Sequence, residues 1–247
     1  METDWLAFGD RSSFALEYRF REDPDHGHAA TLLESASWGE FRFWVQGSNL
    51  CQYHYQNQLY HETTWYLSCL FVWLAENWVP LFHEEKRPFS MGWPNARMGY
   101  LDALKRYLDD TDPIIESQSE ALYDWWQRHA VRSCRQGGLF PDIFLHRLFD
   151  LVEISWGNFP LEGVGEDFYF TVPQGSASLP VTTVVDVVGR GLKQFVALLA
   201  PPMAHDQEWN VLSSQVNTIL RQHHFSSRTF SHTSKIDWTE STSHQMA

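Results

Sequence analysis

Along this chain the spacing of apolar residues switches between two and 3.6, and that switching limits the possible folds more than any other feature. Phe14, Leu16, Tyr18 and Phe20 alternate with Ala15, Glu17, Arg19 and Arg21, and Phe41, Phe43 and Val45 alternate with Glu40, Arg42, Trp44 and Gln46. Period two sends successive side chains to opposite faces of a strand. Val181, Val184, Val185, Val188, Leu192, Phe195, Val196 and Leu199 instead keep helical spacing for about five turns, which outweighs the β propensity of valine. Strand-period and helix-period segments therefore follow one another in blocks, which predicts an α+β fold. The expected order is an N-terminal antiparallel β-meander, central buried helices, a second β-hairpin and two C-terminal helices.

The blocks divide a single expected domain, residues 1–221, into four parts. Residues 1–60 are β-rich, with a polar loop from Asp23 to His28, a turn at Gln46-Gly47-Ser48-Asn49, a strand from Leu50 to Tyr55 and a turn at Gln56-Asn57-Gln58. Residues 61–137 are helical. Thr63 or Thr64 is expected to cap an apolar helix that Pro80 ends or kinks. Leu101, Leu104, Tyr107 and Leu108 share one face of a short helix before an acidic turn, Asp109 to Pro113. Ser117-Gln118-Ser119-Glu120 matches a capping box for a helix that carries Leu122, Trp125, Trp126 and His129 and ends at Gly137-Gly138. Residues 138–173 read as a hairpin, Ile143–Leu145 against Val152–Trp156, then a strand from Phe168 to Val172. Residues 174–221 give two helices, one starting at Pro180 and stopping at Pro201-Pro202, the other capped by Asp206 with Trp209, Leu212, Val216, Ile219 and Leu220 on its inner side. The Ser/Thr/His-rich residues 222–247 read as a flexible tail.

The net charge of −13 repels phosphate backbones and anionic lipid, so no direct nucleic-acid contact is expected. Arg128, Arg132 and Arg135 fall at helical spacing and read as a solvated face. Three cysteines without a CxxC pair point to a reducing, cytoplasmic setting. The apolar run from Trp65 stops at Ala75, too short for a bilayer, and no membrane association is expected.

Catalytic motifs are missing. His61-Glu62 is followed at the decisive position by Trp65, and His83-Glu84 by Arg87, so neither completes HExxH. A discontinuous group of His54, His61 and His83 is the one metal option, and neither metal nor cofactor is expected. Gly175-Ser176-Ala177-Ser178 reads as a loop rather than a nucleophile elbow, and Gly189-Arg190-Gly191 lies inside a helical pattern. Glu76 and Asn77 interrupt an apolar helix, which suggests a buried carboxylate in need of a partner such as Arg42 or Arg97. Twelve tryptophans exceed the need of one core, and a surplus indole is a natural contact group. Trp44, Trp93 and Trp126, with Glu76 and Asn77, are the candidate binding residues. No residue is assigned a catalytic role.

Four segments, Trp38 to Cys51, Trp73 to Trp78, Gly137 to Asp142 and Val152 to Trp156, resemble the accessory N-terminal region of bacterial proteins that end in an ImmA/IrrE-type zinc peptidase domain. The similarity covers about residues 38–156, and the peptidase motif itself is missing, so no catalytic residue carries over. It implies a bacterial stress-response or anti-phage defence setting, with the chain as a sensor or adaptor whose effector is encoded separately. The expected function is therefore non-catalytic recognition of a protein partner. Two alternatives remain open: a hydrolase with a site assembled from Glu76, His83 and His146, and an acidic mimic of nucleic acid.

Overall fold

A computed structural model describes residues 3–24, 29–84, 86–89, 92–109, 114–135, 137–158 and 168–229. The N-terminal meander is β1 (Leu6–Asp10), β2 (Phe14–Phe20) and β3 (Trp38–Val45), antiparallel throughout, with α1 (Leu32–Ala36) in the β2–β3 connection. Beyond a turn with positive φ at Gln46 and Gly47, β4 (Ser48–Asn49) pairs with the end of β3. The chain then leaves the sheet for a small hairpin, β5 (Tyr53–Tyr55) and β6 (Gln58–Tyr60), and returns as β7 (Thr63–Tyr66) along the start of β3. Positive φ at both central residues of each turn, Gln46-Gly47 and Gln56-Asn57, is the geometry that suits the twist of a two-residue hairpin.

Two expectations for this region are corrected. Leu50 to Tyr55 is not one strand, because the Asn49 side chain turns the chain, accepting from the Cys51 N–H at 3.1 Å and donating to the His61 carbonyl at 2.6 Å. Thr63 and Thr64 do not cap a helix; they pair with Phe41 and Glu40. The helix behind them, α2 (Leu67–Glu76), is started from a distance by Ser37, whose carbonyl accepts from the Leu67 N–H at 2.7 Å and whose Oγ accepts from the Ser68 N–H at 3.1 Å. α2 stops at Asn77, whose side-chain amide donates to the Trp73 carbonyl. Pro80 lies in the first turn of α3 (Trp78–His83), where a missing N–H costs little.

α4 (Ala96–Asp109) begins at Asn95, whose Oδ1 accepts from the Met98 N–H at 2.8 Å. α5 spans Ile114–His129, so Ser117–Glu120 lie inside it and form no capping box at its start. It ends at His129 rather than at Gly137-Gly138, and a 3₁₀ turn, Val131–Cys134, follows. Arg128, Arg132 and Arg135 therefore do not share a solvated helix face; Arg132 is buried in that turn.

The second hairpin is β8 (Asp142–Leu148) and β9 (Leu151–Gly157), joined through Phe149-Asp150. β10 (Tyr169–Phe170) pairs with β5 and not with this hairpin. The third strand beside β9 is β11 (Gly175–Pro180), a segment expected to be loop. Its Ala177 and Leu179 are buried while Ser176 and Ser178 are exposed, a period-two signal masked by glycine and serine. α6 (Val181–Met203) runs through Pro201-Pro202 before ending, and α7 (Gln207–Thr229) is capped by Asp206, whose Oδ1 accepts from the Trp209 N–H at 2.8 Å. α7 continues past residue 221; the expected tail over 230–247 and the loop residues 159–167 lie outside the described residues.

The main core forms where α6 and α2 cross the inner face of the meander. Phe14, Leu16, Tyr18, Phe20, Phe41, Phe43 and Val45 are all buried there, each burial stabilising by roughly 1.5–3 kcal/mol. The Tyr18 hydroxyl donates to the Gly191 carbonyl at 3.1 Å, and Phe71 stacks on Phe195 at 4.3 Å. α7 packs outside this layer against α6 and α2. A second, smaller core holds Tyr100, Leu122, Trp125 and Phe144 between α4, α5 and β8. β8 separates the two: Ile143 and Leu145 face the main core, and Phe144 faces the smaller one. Among the described residues, no helix is long and apolar enough to cross a membrane.

Candidate functional site

A groove of about 680 Å³ lies between α2 and α7, closed at its side by α1 and the 3₁₀ turn. Volumes of this order suit ligand sites. Its walls follow from helix geometry. Ser68, Cys69, Val72, Trp73 and Glu76 line it from α2, and Gln207, Glu208, Val211, Leu212 and Gln215 from α7. Both sets have the spacing i, i+1, i+4, i+5, i+8, which is one face of a helix. Leu33, Cys69, Trp73 and Leu212 form a buried apolar floor, while Val211 on the rim is 53% exposed. The Trp73 indole N–H donates to the Gln127 carbonyl at 2.7 Å, which fixes the ring in the floor.

Three carboxylates, Glu34, Glu76 and Glu208, border this floor, and no lysine, arginine or histidine lines it among the described residues. Glu34 is held locally: its Oε2 accepts from the Ala30 N–H at 2.6 Å, and Thr31 Oγ1 accepts from the Glu34 N–H. Glu208 stands in the first turn of α7, where the helix dipole favours an anion. Glu76 is the last residue of α2, the end where the dipole disfavours one, and no basic residue occupies that last turn. Glu76 is exposed, so the expectation of a buried carboxylate paired with Arg42 or Arg97 is corrected. Those arginines bind Glu62 and Asp142 instead. Asn77 serves as the C-cap of α2.

Two thiols face the groove, and neither is activated. Burial pushes the Cys69 thiol up to about 12, and Cys134 is likewise raised well above its ordinary value by burial. The third thiol, Cys51, lies in the main core and is pushed up to about 12 by the same cause. Thiolates are the nucleophilic form, so these side chains act as small apolar groups.

Elsewhere several charged groups hold elements together. On the outer face of the meander, buried Glu17 accepts from Arg11 Nε at 2.6 Å and from the Trp44 indole N–H at 3.0 Å. The guanidinium of Arg42 lies 3.9 Å above the Trp5 ring and that of Arg19 4.6 Å from it, and Arg19 pairs with Glu40. Around β9, Glu153 accepts from the Ala96 N–H at 2.5 Å and pairs with Arg87 at 3.4 Å, and Arg97 pairs with Asp142 at 2.6 Å. His129 is fully buried and stacked on Trp125 at 4.5 Å, with the His146 ring 5.6 Å away.

The remaining sequence candidates are dispersed. Trp44 is half-buried on the sheet face with Arg11 over its ring at 4.7 Å. Trp93 is half-buried beside Gly99, and Trp126 is half-buried next to the exposed Tyr123. Glu76 lines the groove from α2, His83 is exposed at the end of α3, and His146 is buried on β8. His54 stacks on Tyr169, and the Nδ1 of His61 lies 2.9 Å from the Gln52 amide. No three His, Cys, Asp or Glu side chains among the described residues are grouped to hold a metal ion. Of the five candidate binding residues, only Glu76 lines the groove. Glu34, Glu208 and Val211 were not singled out from sequence; the available signal was Val211, an apolar residue off the buried stripe of α7.

Set against family models, curated proteins and solved structures, the chain matches none.

Proposed function

We propose that this chain is a non-catalytic recognition module, a sensor or adaptor that acts by protein–protein contact, and that the groove between α2 and α7 receives its partner. The observation that carries this reading is the composition of the groove. It has an apolar floor, two rim carboxylates, Glu76 and Glu208, without an ion-pair partner among the described residues, and two thiols that burial keeps protonated. Such a surface offers area and charge for binding, and nothing in it polarises a bond. The resemblance to accessory regions of zinc-peptidase proteins supports the same reading and suggests a stress-response or defence setting with a separately encoded effector.

The test is affinity capture from the cells that make the protein, comparing the natural chain with Val211→Arg in the groove and Val79→Arg on the exposed surface of α3. A partner held by the natural chain and by Val79→Arg, and released by Val211→Arg, is the expected result. Equal retention by all three would remove the groove from the account. Turnover of a hydrolase substrate, lost in Glu76→Gln, would replace the reading with an enzymatic one.

A further inference from the structure

We infer that the partner segment received by the groove is cationic and amphipathic, with lysine or arginine side chains flanking an apolar stripe. This inference rests on the proposed recognition role and specifies its ligand. The argument is charge complementarity combined with shape. Glu208 and Glu76 stand on opposite walls, and neither has an ion-pair partner among the described residues. The groove that both carboxylates line has Leu33, Cys69, Trp73 and Leu212 as its buried apolar floor.

The wall of α2 runs from Ser68 to Glu76, about 12 Å at 1.5 Å per residue, which matches two turns of a helical guest. Glu76 adds a separate indication. A carboxylate at a helix C-terminus opposes the helix dipole, and no basic residue stands in the last turn of α2 or pairs with Glu76 among the described residues. A basic side chain from outside would satisfy Glu76 and the dipole together. A second copy of this chain, at net charge −13, brings mainly further negative charge, and nucleic acid brings phosphates. A cationic protein segment is the occupant that these charges attract.

The test uses the full chain and three synthetic 14-residue peptides with the same helical pattern of leucines. Their remaining positions are all lysine, all glutamine or all glutamate. Titration calorimetry at two salt concentrations reads affinity. The expected result is binding of the lysine peptide that weakens with salt, little binding of the glutamine peptide and none of the glutamate peptide. Glu76→Gln/Glu208→Gln should weaken the lysine peptide about tenfold. Asp4→Asn/Glu22→Gln, which removes the same charge from exposed positions elsewhere, should leave it within about twofold.

Equal binding of lysine and glutamate peptides through the groove would overturn the cationic assignment and leave the recognition role standing. Equal weakening by both double variants would show attraction by overall charge and overturn the site. Failure of all three peptides to bind would overturn the inference and count against the groove as a docking site.

Discussion

At the scale of single residues, the buried charges set the sharpest expectations. Arg97 and Asp142 are 4% and 3% exposed, and their ion pair ties the start of α4 to β8. Burial raises the Asp142 carboxyl despite the opposing pull of Arg97. Arg97→Met is therefore expected to cost roughly 3–5 kcal/mol in urea unfolding, because it strands a buried carboxylate. Adding Asp142→Leu should recover much of that loss. His129 gives a pH dependence with a definite sign. Burial first, then the charges of Arg128 and Arg87, lower it to about 4 from 6.5, against the Trp125 carbonyl. The unfolded chain then binds the proton more readily, so stability is complete above pH 6.5 and falls as pH drops towards 4. The loss is on the order of 3 kcal/mol below that point, and His129→Phe should flatten the slope in a series of melts from pH 7 to 4. The helical spacing already set His129 beside Trp125, but the pairing of Arg97 with Asp142 was not legible in the sequence. Arg97 and Asp142 are 45 positions apart, and a carboxylate so distant carries no local mark of its partner.

At the scale of elements, legibility followed locality. Spacing identified β2, β3, β8, β9, α6 and α7, because the side-chain period is a property of a few neighbouring residues. It failed at Thr63, where pairing with β3 competes with a helix cap, and at β11, where glycine and serine hid a buried alternation. The start of α2 was equally hidden, since the groups that satisfy it belong to Ser37. Two element ends make predictions. Phe149, 76% exposed, holds φ +55 at the tip of the β8–β9 hairpin, a conformation costly for a bulky residue. Phe149→Asn should raise stability by about 0.5–1 kcal/mol, read from the urea midpoint, since asparagine tolerates that backbone and little buried area is lost. Glu76→Gln should also stabilise, by about 0.3–1 kcal/mol, through relief of the α2 dipole. A variant that melts higher and binds the lysine peptide more weakly would mark Glu76 as a residue kept for contact at the expense of its helix.

At the scale of the whole molecule, the α+β class and the order of its blocks followed from the sequence, and the groove did not. A groove is the space left between two helix faces, and the α2 and α7 segments are more than a hundred residues apart in the chain. Their mutual placement depends on the Phe71–Phe195 stack and the layer that α6 supplies. The two cores differ in extent, with α4 and α5 resting on the smaller one. Amide hydrogen exchange is expected to show α4 and the first half of α5 opening well before β2, β3 and α6; uniform protection would argue for a single cooperative unit. The hairpin between the cores has a further consequence. Ile143, Leu145, Val152 and Ile154 serve one side, and Phe144, His146, Glu153 and Ser155 are buried on the other. Shifting β8 by one residue would carry the His146 imidazole, and shifting β9 the Glu153 carboxylate, into hydrocarbon on one side and strip the other of its polar anchors. Evolution by insertion or deletion is thus closed to these fourteen strand positions in a way that it is not for a one-sided sheet.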